Sequence, residues 1–280
     1  GMGAFDATVH AMTTIATGGF SNYDSSFAAF GPGAAYVAAV FMVLAALPFV
    51  RFVQLSAGTA RPLLQDTQIH AFLGTATIIV ILIAGWNISQ QSTINEKAIR
   101  VAIFNAVSLM TGTGYANADY MQWGSFAIAV LFFTGLIGGC AGSTACSIKI
   151  FRYQLLFASI RAQLQKTRSP NGVFIPRYAG RPVGEDVLNS VMSFFVFFIV
   201  TLGLFSVGLA MTGLDFITSI SGAATALANV GPGFGDQIGP AGNFASLNDT
   251  AKWLLAAGML IGRLEIMVVY VIFTLQFWRA

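Results

Sequence analysis

Five long blocks of the chain, residues 33–50, 69–88, 121–148, 187–214 and 253–277, carry almost no charge, and polar segments separate them. Crossing a bilayer as a helix takes about 20 residues, so these blocks read as membrane spans. Three further apolar blocks, 7–16, 98–109 and 216–228, are too short for that. Each short block runs into a small glycine-bearing turn, then a polar loop, then a long block. The turns are Ala16-Thr17-Gly18-Gly19-Phe20, Gly112-Thr113-Gly114-Tyr115-Ala116 and Asn229-Val230-Gly231-Pro232-Gly233. This order predicts short helices that enter the membrane and turn back, each followed by a full span. With Gly18, Gly114 and Gly231 taken as the central glycines, the turns lie 96 and 117 positions apart, as one unit repeated with unequal connections would place them.

Local signals refine these elements. Asp6 is placed to cap the first short helix. Pro48 is expected to kink the end of the first long span. The 121–148 block has 28 residues, more than one straight span needs. Its excess falls at Gly138-Gly139-Cys140-Ala141-Gly142-Ser143-Thr144-Ala145-Cys146-Ser147, a run of small residues that makes a poor helix. A break is expected there. Irregular backbone at membrane depth needs protein or water around it, so the break should face a water-filled cavity. Seven of the 14 Lys and Arg residues follow in one polar connector: Lys149, Arg152, Arg161, Lys166, Arg168, Arg177 and Arg181. The 253–277 block is expected to be one last span.

Composition agrees with a membrane class. The chain is 56% hydrophobic and 9% charged, against about 25% charged residues in a soluble domain. Basic residues set the orientation. If every glycine turn re-enters from one side, Arg51, Arg61, the connector's seven and Arg279 all fall on the other side, which is then cytoplasmic. The opposite side holds Lys97, Arg100 and Lys252 with Asp24, Glu96, Asp119, Asp236 and Asp249, a net acidic mouth that would concentrate cations. Cys140 and Cys146 form neither a disulfide framework nor a metal-ligand pattern and read as small buried side chains. His10 and His70 are too far apart in sequence to suggest a metal site. The opening residues lack a charged n-region, so no signal peptide is expected.

A glycine turn at membrane depth has a specific use. A dehydrated cation needs oxygens in place of its hydration shell, and backbone carbonyls can supply them. The chain must then adopt backbone conformations that glycine tolerates. Carbonyls left without partners cost several kcal/mol each in lipid, which a bound ion offsets. A short helix ending at the turn adds roughly half a negative charge there. Any one turn could equally be an ordinary interhelical connection. Three of them, each after a sub-length helix and before a full span, favour re-entrant filter loops.

The residues resemble a known family. Residues 11–21, Ser108-Leu109-Met110-Thr111-Gly112-Thr113-Gly114-Tyr115 and Ala228-Asn229-Val230-Gly231-Pro232-Gly233-Phe234-Gly235 look like the filter loops of the Trk/Ktr/HKT superfamily of potassium transporters, most like the bacterial Trk membrane subunit. Residues 138–147 resemble its intramembrane loop below the filter, and Gly262-Arg263-Leu264-Glu265 its last pore-lining helix. The resemblance implies an all-α polytopic membrane protein, with units of membrane helix, pore helix, filter loop and membrane helix around a pseudo-fourfold pore. Residues 1–60 would be the second repeat without its first membrane helix, and 61–165 the third, with loop 138–147. A basic cytoplasmic connector would occupy 166–185 and the fourth repeat 186–280. Three loops cannot close a fourfold filter, so the first repeat is expected in a preceding part of a longer protein.

By the same resemblance, potassium ions would bind at Ala16, Thr17 and Gly18, at Gly112, Thr113 and Gly114, and at Asn229, Val230 and Gly231. Glycine in all three loops favours potassium over sodium in this superfamily. Gly138, Gly139, Gly142 and Ser143 of the intramembrane loop, with Arg263, would form the gate. The family carries glycines near positions 145–147; Ala145, Cys146 and Ser147 should make this loop stiffer. The implied partners are a second copy, a cytosolic nucleotide-binding ring and the lipid bilayer, with no nucleic acid. The implied place is the inner (plasma) membrane, with no cofactor beyond the transported potassium ion. The basic connector could be a docking surface or simply positive-inside charge.

Arg263 carries weight on its own. A charge at a membrane helix centre costs about 2.5–3.5 kcal/mol on insertion scales, so it must face water or a partner. Glu265, two positions on, points elsewhere on a helix and reads as structural. A fixed positive charge below the filter, or an ion pair with another helix, are both open readings. Other function classes fit less well. A sodium-permeable relative is the nearest alternative. A broken-helix transporter for a small solute would interrupt full-length spans in matched halves. An intramembrane enzyme would need a nucleophile–base pair, paired Asp or a zinc motif in the spans, and none can be picked out, so no enzymatic activity is expected.

Overall fold

The computed structural model describes residues 1–91, 95–264, 266–275 and 277–279. Its helices, in order, are α1 (Ala4–Ile15), α2 (Pro32–Ala45), α3 (Phe49–Ser56), α4 (Arg61–Leu64), α5 (Thr67–Gln91), α6 (Glu96–Thr111), α7 (Ser125–Ile137), α8 (Ile150–Arg168), α9 (Glu185–Met211), α10 (Phe216–Ala228), α11 (Asp249–Arg263) and α12 (Ile266–Ile272). One two-residue hairpin, β1 (Arg177–Tyr178) and β2 (Arg181–Pro182), follows α8, with Arg177 opposite Pro182.

The two uninterrupted spans are α5 and α9, which are long and apolar enough to cross a membrane. Their outward faces are bare hydrocarbon: Ile78, Ile81 and Leu82 on α5, and Val196, Ile199, Leu204 and Val207 on α9, are all exposed. Such faces would be insoluble in water and suit lipid. The chain is thus an all-α polytopic membrane protein.

Two of the short helices, α6 and α10, are buried nearly all round, whereas α1 buries only His10 and Thr14. From Ala102 to Thr111 every α6 residue except Ile103 is buried, and so is every α10 residue from Thr218 to Ala228 except Ile220. At 16 and 13 residues, they rise about 24 and 20 Å, short of the roughly 30 Å hydrocarbon layer. Each starts on a side-chain cap. Asn95 accepts from the Ala98 N–H, and Asp215 from those of Ile217 and Thr218. Their small residues let neighbours approach closely. α6 packs between α2 and α5 and against α7, and α10 between α9 and α11 and against α7.

Several expectations change. Asp6 lies inside α1 and does not cap it; the N-cap is Gly3. The Asp6 carboxylate instead accepts from Asn22 Nδ2 (2.9 Å) and Tyr23 OH (3.1 Å), pinning the polar loop back on the helix. Pro48 does more than kink. With no N–H to continue the helix, it caps α3, which turns 91° from α2. The polar connector is largely helix α8, with Arg152 and Leu155 buried. The last block is two helices, α11 and α12, and Arg263 ends α11 instead of sitting mid-span. Glu265 lies outside the described residues.

Candidate functional site

The three glycine turns meet, and each is built the same way. After α1, α6 and α10 one residue takes a left-handed conformation: Thr17 (φ 48°), Gly112 (φ 71°) and Asn229 (φ 53°). Its N–H reaches back three residues, to Thr14 O, Leu109 O and Ala226 O. The next N–H reaches back five, Gly18 to Thr13 O (2.8 Å), Thr113 to Ser108 O (3.0 Å) and Val230 to Thr225 O (3.1 Å). This is the Schellman ending, and it satisfies helix carbonyls with the turn's own N–H groups. Among the described residues no donor reaches the carbonyls of Thr17, Gly18, Thr113 or Val230. Each turn therefore offers free carbonyl oxygens at the negative end of a helix dipole.

The shared pattern corrects the alignment of the first loop. The residue after each Schellman pair is Gly19 (φ 67°), Gly114 (φ 84°) or Gly231 (φ 114°). Gly18 matches Thr113 and Val230, so Gly19 is the equivalent of Gly114, and the equivalent triplet is Thr17-Gly18-Gly19. Ala16 is displaced from the site's core; it is the right-handed C-cap of α1. Two adjacent glycines make the register ambiguous in sequence, and the left-handed Thr17 resolves it.

The central glycines are required by contact as well as by φ. A Cβ on Gly19 would lie 1.8 Å from Thr113 O, and a Cβ on Gly114 1.8 Å from Val230 O. A carbonyl of the second loop thus rests on the first loop's glycine, and one of the third on the second's. A Cβ on Gly231 would have nothing nearer than the Gly114 Cα at 3.6 Å. A Cβ on Gly18 would meet the ring of Phe20 at 3.3 Å and Thr13 O at an ordinary 3.9 Å.

Residues 138–149 carry the break expected in the 121–148 block and lie against these turns, with Thr17 Oγ1 donating to Thr144 O (2.9 Å). Gly138 ends α7. Cys140 N–H donates to Ala46 O (3.0 Å), and Thr144 N–H and Oγ1 to Ala45 O, so the loop takes up the carbonyls freed where α2 ends. Gly139 O accepts from Ile150 N–H, and Gly142 O from Phe49 N–H (2.9 Å each). Ser143 Oγ closes the loop on Cys140 O (2.6 Å). Two residues reach the short helices themselves. Thr144 Oγ1 lies 2.9 Å from Ile15 O of α1. Ser147 N–H and Oγ both donate to Ala228 O, at the end of α10. Irregular backbone at this depth is thereby satisfied by protein, as it must be. A cavity of about 180 Å³ opens beside it, lined by Ser143, Thr144, Cys146, Lys149 and Arg263 among others. Arg263 Nη1 donates to Cys146 Sγ. That contact, the hydroxyls of Thr144 and Ser147, and the Asn229 side chain donating to Met259 O of α11 (3.1 Å) have no sequence signal beyond their polarity in apolar surroundings.

Three dipole-aligned helix ends present unpaired carbonyls to one another beside a polar loop and a cavity, in an all-α polytopic membrane protein. Comparison with known proteins gives the family. A profile described as "Cation transport protein", TrkH, matches residues 2–278, and the chain belongs to the TrkH family. It is 45% identical over 281 residues to the Trk system potassium uptake protein TrkI of Halomonas elongata, covering 100% of this chain and 57% of that protein. It is 34% identical over 287 residues to TrkH of Salmonella typhimurium, covering 58% of it. The crystal structure of the potassium transporter TrkH from Vibrio parahaemolyticus superimposes with a TM-score of 0.92 at 31% identity, over 99% of this chain and 60% of that one. The chain therefore spans little more than half the length of the relatives it matches.

Proposed function

We propose that this chain forms most of a pore that takes up potassium ions across the inner membrane. The observation that carries the reading is the interlock of neighbouring turns, in which a carbonyl of one loop rests on the glycine of the preceding one. It supports a ring of oxygens around a dehydrated ion, contributed by Thr17 and Gly18, Gly112 and Thr113, and Asn229 and Val230, with Gly19, Gly114 and Gly231 allowing close approach. The printed names of the relatives, potassium uptake proteins, agree with potassium as the cargo. The open side of Gly231 is the place for a carbonyl of a fourth loop, supplied by a part of the protein outside this segment. Residues 1–60, 61–165 and 186–280 are then three of four repeats, with 166–185 the connector.

The gate in this reading is the loop carrying Gly138, Gly139, Gly142 and Ser143, held by Arg263 through Cys146. The Arg263 charge beside the cavity would repel cations until the loop moves. The cytosolic face, rich in α8 and hairpin arginines, would receive a nucleotide-binding regulatory subunit, and two copies would assemble as a homodimer. Potassium-dependent growth of an uptake-deficient bacterium carrying the full-length protein tests the core of this. Wild type should restore growth at low potassium, and Gly114→Ser should lose it or admit sodium. Equal rescue by both would reduce Gly114 to a turn residue.

A further inference from the structure

Tyr115 follows the central glycine of the second loop and is wholly buried. Its neighbours belong to the preceding repeat. The phenol hydroxyl contacts Thr13 Oγ1 of α1 and lies 3.3 Å from His10 O and 3.5 Å from Thr14 Oγ1. Thr13 Oγ1 in turn reaches Phe20 O at 3.0 Å, the residue after Gly19. A hydroxyl relay thus joins the exit of one filter loop to the exit of the next. The ring is clamped as well: its centroid lies 4.5 Å from that of Phe27 and 6.0 Å, stacked, from His10. His10 is held through Nδ1 by Asp6 O (2.7 Å) and through Nε2 by Ser21 Oγ (2.9 Å). The Phe27 N–H donates to Ala116 O (2.9 Å), a second tie across the same boundary.

The next boundary is fastened differently. The residue after Gly231 is Pro232, which carries no hydroxyl. Phe234 is pinned by Ser221 of its own repeat, through Phe234 N–H to Ser221 Oγ (2.9 Å) and Ser221 Oγ to Phe234 O (3.0 Å). Across the boundary it packs on Tyr120 and Phe132 by ring contact alone. Among the described residues, a hydrogen-bonded strut between filter loops fixes the length of the first of these two boundaries and not of the second.

Resting on the pore reading above, we infer that Tyr115 and Thr13 are positioning residues for ion selectivity: their hydroxyl pair holds the first and second loops apart at the spacing a potassium ion fills. Without it the loops can draw in around a smaller ion. Neither residue touches the ion. Both act through the carbonyls of Gly18 and Thr113, which flank the strut in sequence.

The test is potassium and sodium uptake by the full-length protein in uptake-deficient cells, normalised to protein in the membrane, for wild type, Tyr115→Phe, Thr13→Val and the double variant. A neutral hydrogen bond contributes about 1 kcal/mol and 1.4 kcal/mol is tenfold, so each single variant should lower the potassium-to-sodium ratio by about three- to tenfold. The double variant should be no worse than the singles, because both remove one strut. Thr13→Val keeps the ring in place, so it reports the ratio even where Tyr115→Phe accumulates poorly. Unchanged ratios in the single variants, or fully additive losses, overturn the inference while wild-type uptake leaves the pore reading standing. A wild type that takes up no potassium overturns the pore reading itself.

Discussion

The filter turns and the loop beneath them solve one problem in opposite ways. Both place non-helical backbone at membrane depth. The turns satisfy the helix-end carbonyls internally, through the same Schellman bonds three times over, leave their own carbonyls free, and at Gly19 and Gly114 pack glycine against carbonyl with no side chain between. The 138–149 loop satisfies it through side chains and borrowed helix ends: Ser143 on Cys140, Thr144 on Ile15 and Ala45, Ser147 on Gly135 and Ala228, Arg263 on Cys146. At Gly19 and Gly114 the first arrangement has no soft element, so an added Cβ must displace backbone. The second is a set of individually modest bonds, each contributing about 1 kcal/mol net, that can be exchanged for water in the adjoining cavity. In the proposed reading the first arrangement is a rigid selector and the second a releasable plug.

The comparison breaks most severely at the turns. Gly114→Ala would place a methyl 1.8 Å from Val230 O at a left-handed φ. Left-handed strain of about 1–2 kcal/mol adds to overpacking of about 1–3 kcal/mol. Uptake should be lost, and the melting temperature of the purified protein should fall. Retained uptake would mean that the loops do not interlock.

A smaller effect, of opposite sign, is expected from the plug. Thr144→Val removes the hydroxyl that reaches Ile15 O and Ala45 O but keeps the side chain's shape. Ser147→Gly removes the Oγ bonds to Gly135 O and Ala228 O, keeps the N–H bond to Ala228 O, and relieves a left-handed serine (φ 63°). Each should raise rubidium flux about three- to tenfold, the equivalent of about 1 kcal/mol. Reduced or unchanged flux would identify the loop as a static support.

The smallest effect lies at the outer surface. Hydrogen bonds from Arg100 and then Tyr36 hold the Glu96 carboxyl below the usual carboxylate range, and through Tyr36 OH (2.9 Å) they tie α2 to α6. A depressed folded-state pKa contributes stability that is present above the unfolded value and lost as pH falls through the folded one. Thermal stability should therefore drop slightly on acidification through that range, and Glu96→Gln should flatten the dependence. An identical pH profile in the variant would leave the tie without weight.

Much of this architecture is legible in the sequence. The boundaries of α10, the break after Ile137 and the order of short helix then turn follow from charge gaps and small-residue runs, whereas the expected full spans after the turns are the shorter helices α2, α7 and α11, of 14, 13 and 15 residues. These signals are local, and so is the physics behind them. The register of the first turn is not legible. Thr17-Gly18-Gly19 offers two glycines, and the left-handed position is filled by threonine, glycine and asparagine in the three loops, so no residue type marks it. Asp6 carries a capping signal that a loop contact overrides. The polar connector's charges hide a helix that buries Arg152 and Leu155. Contacts such as Tyr115 with Thr13, separated by 102 positions, exist only once the repeats are assembled.

Uptake by paired variants, Gly18→Ala and Gly19→Ala in the full-length protein, tests the interlocked filter most directly. A Cβ at position 18 comes no nearer than 3.3 Å to any neighbour, the Phe20 ring, whereas one at position 19 lies 1.8 Å from Thr113 O. The account predicts that Gly18→Ala retains potassium uptake and Gly19→Ala abolishes it. Equal losses in the two, or loss at position 18 alone, would contradict the interlock.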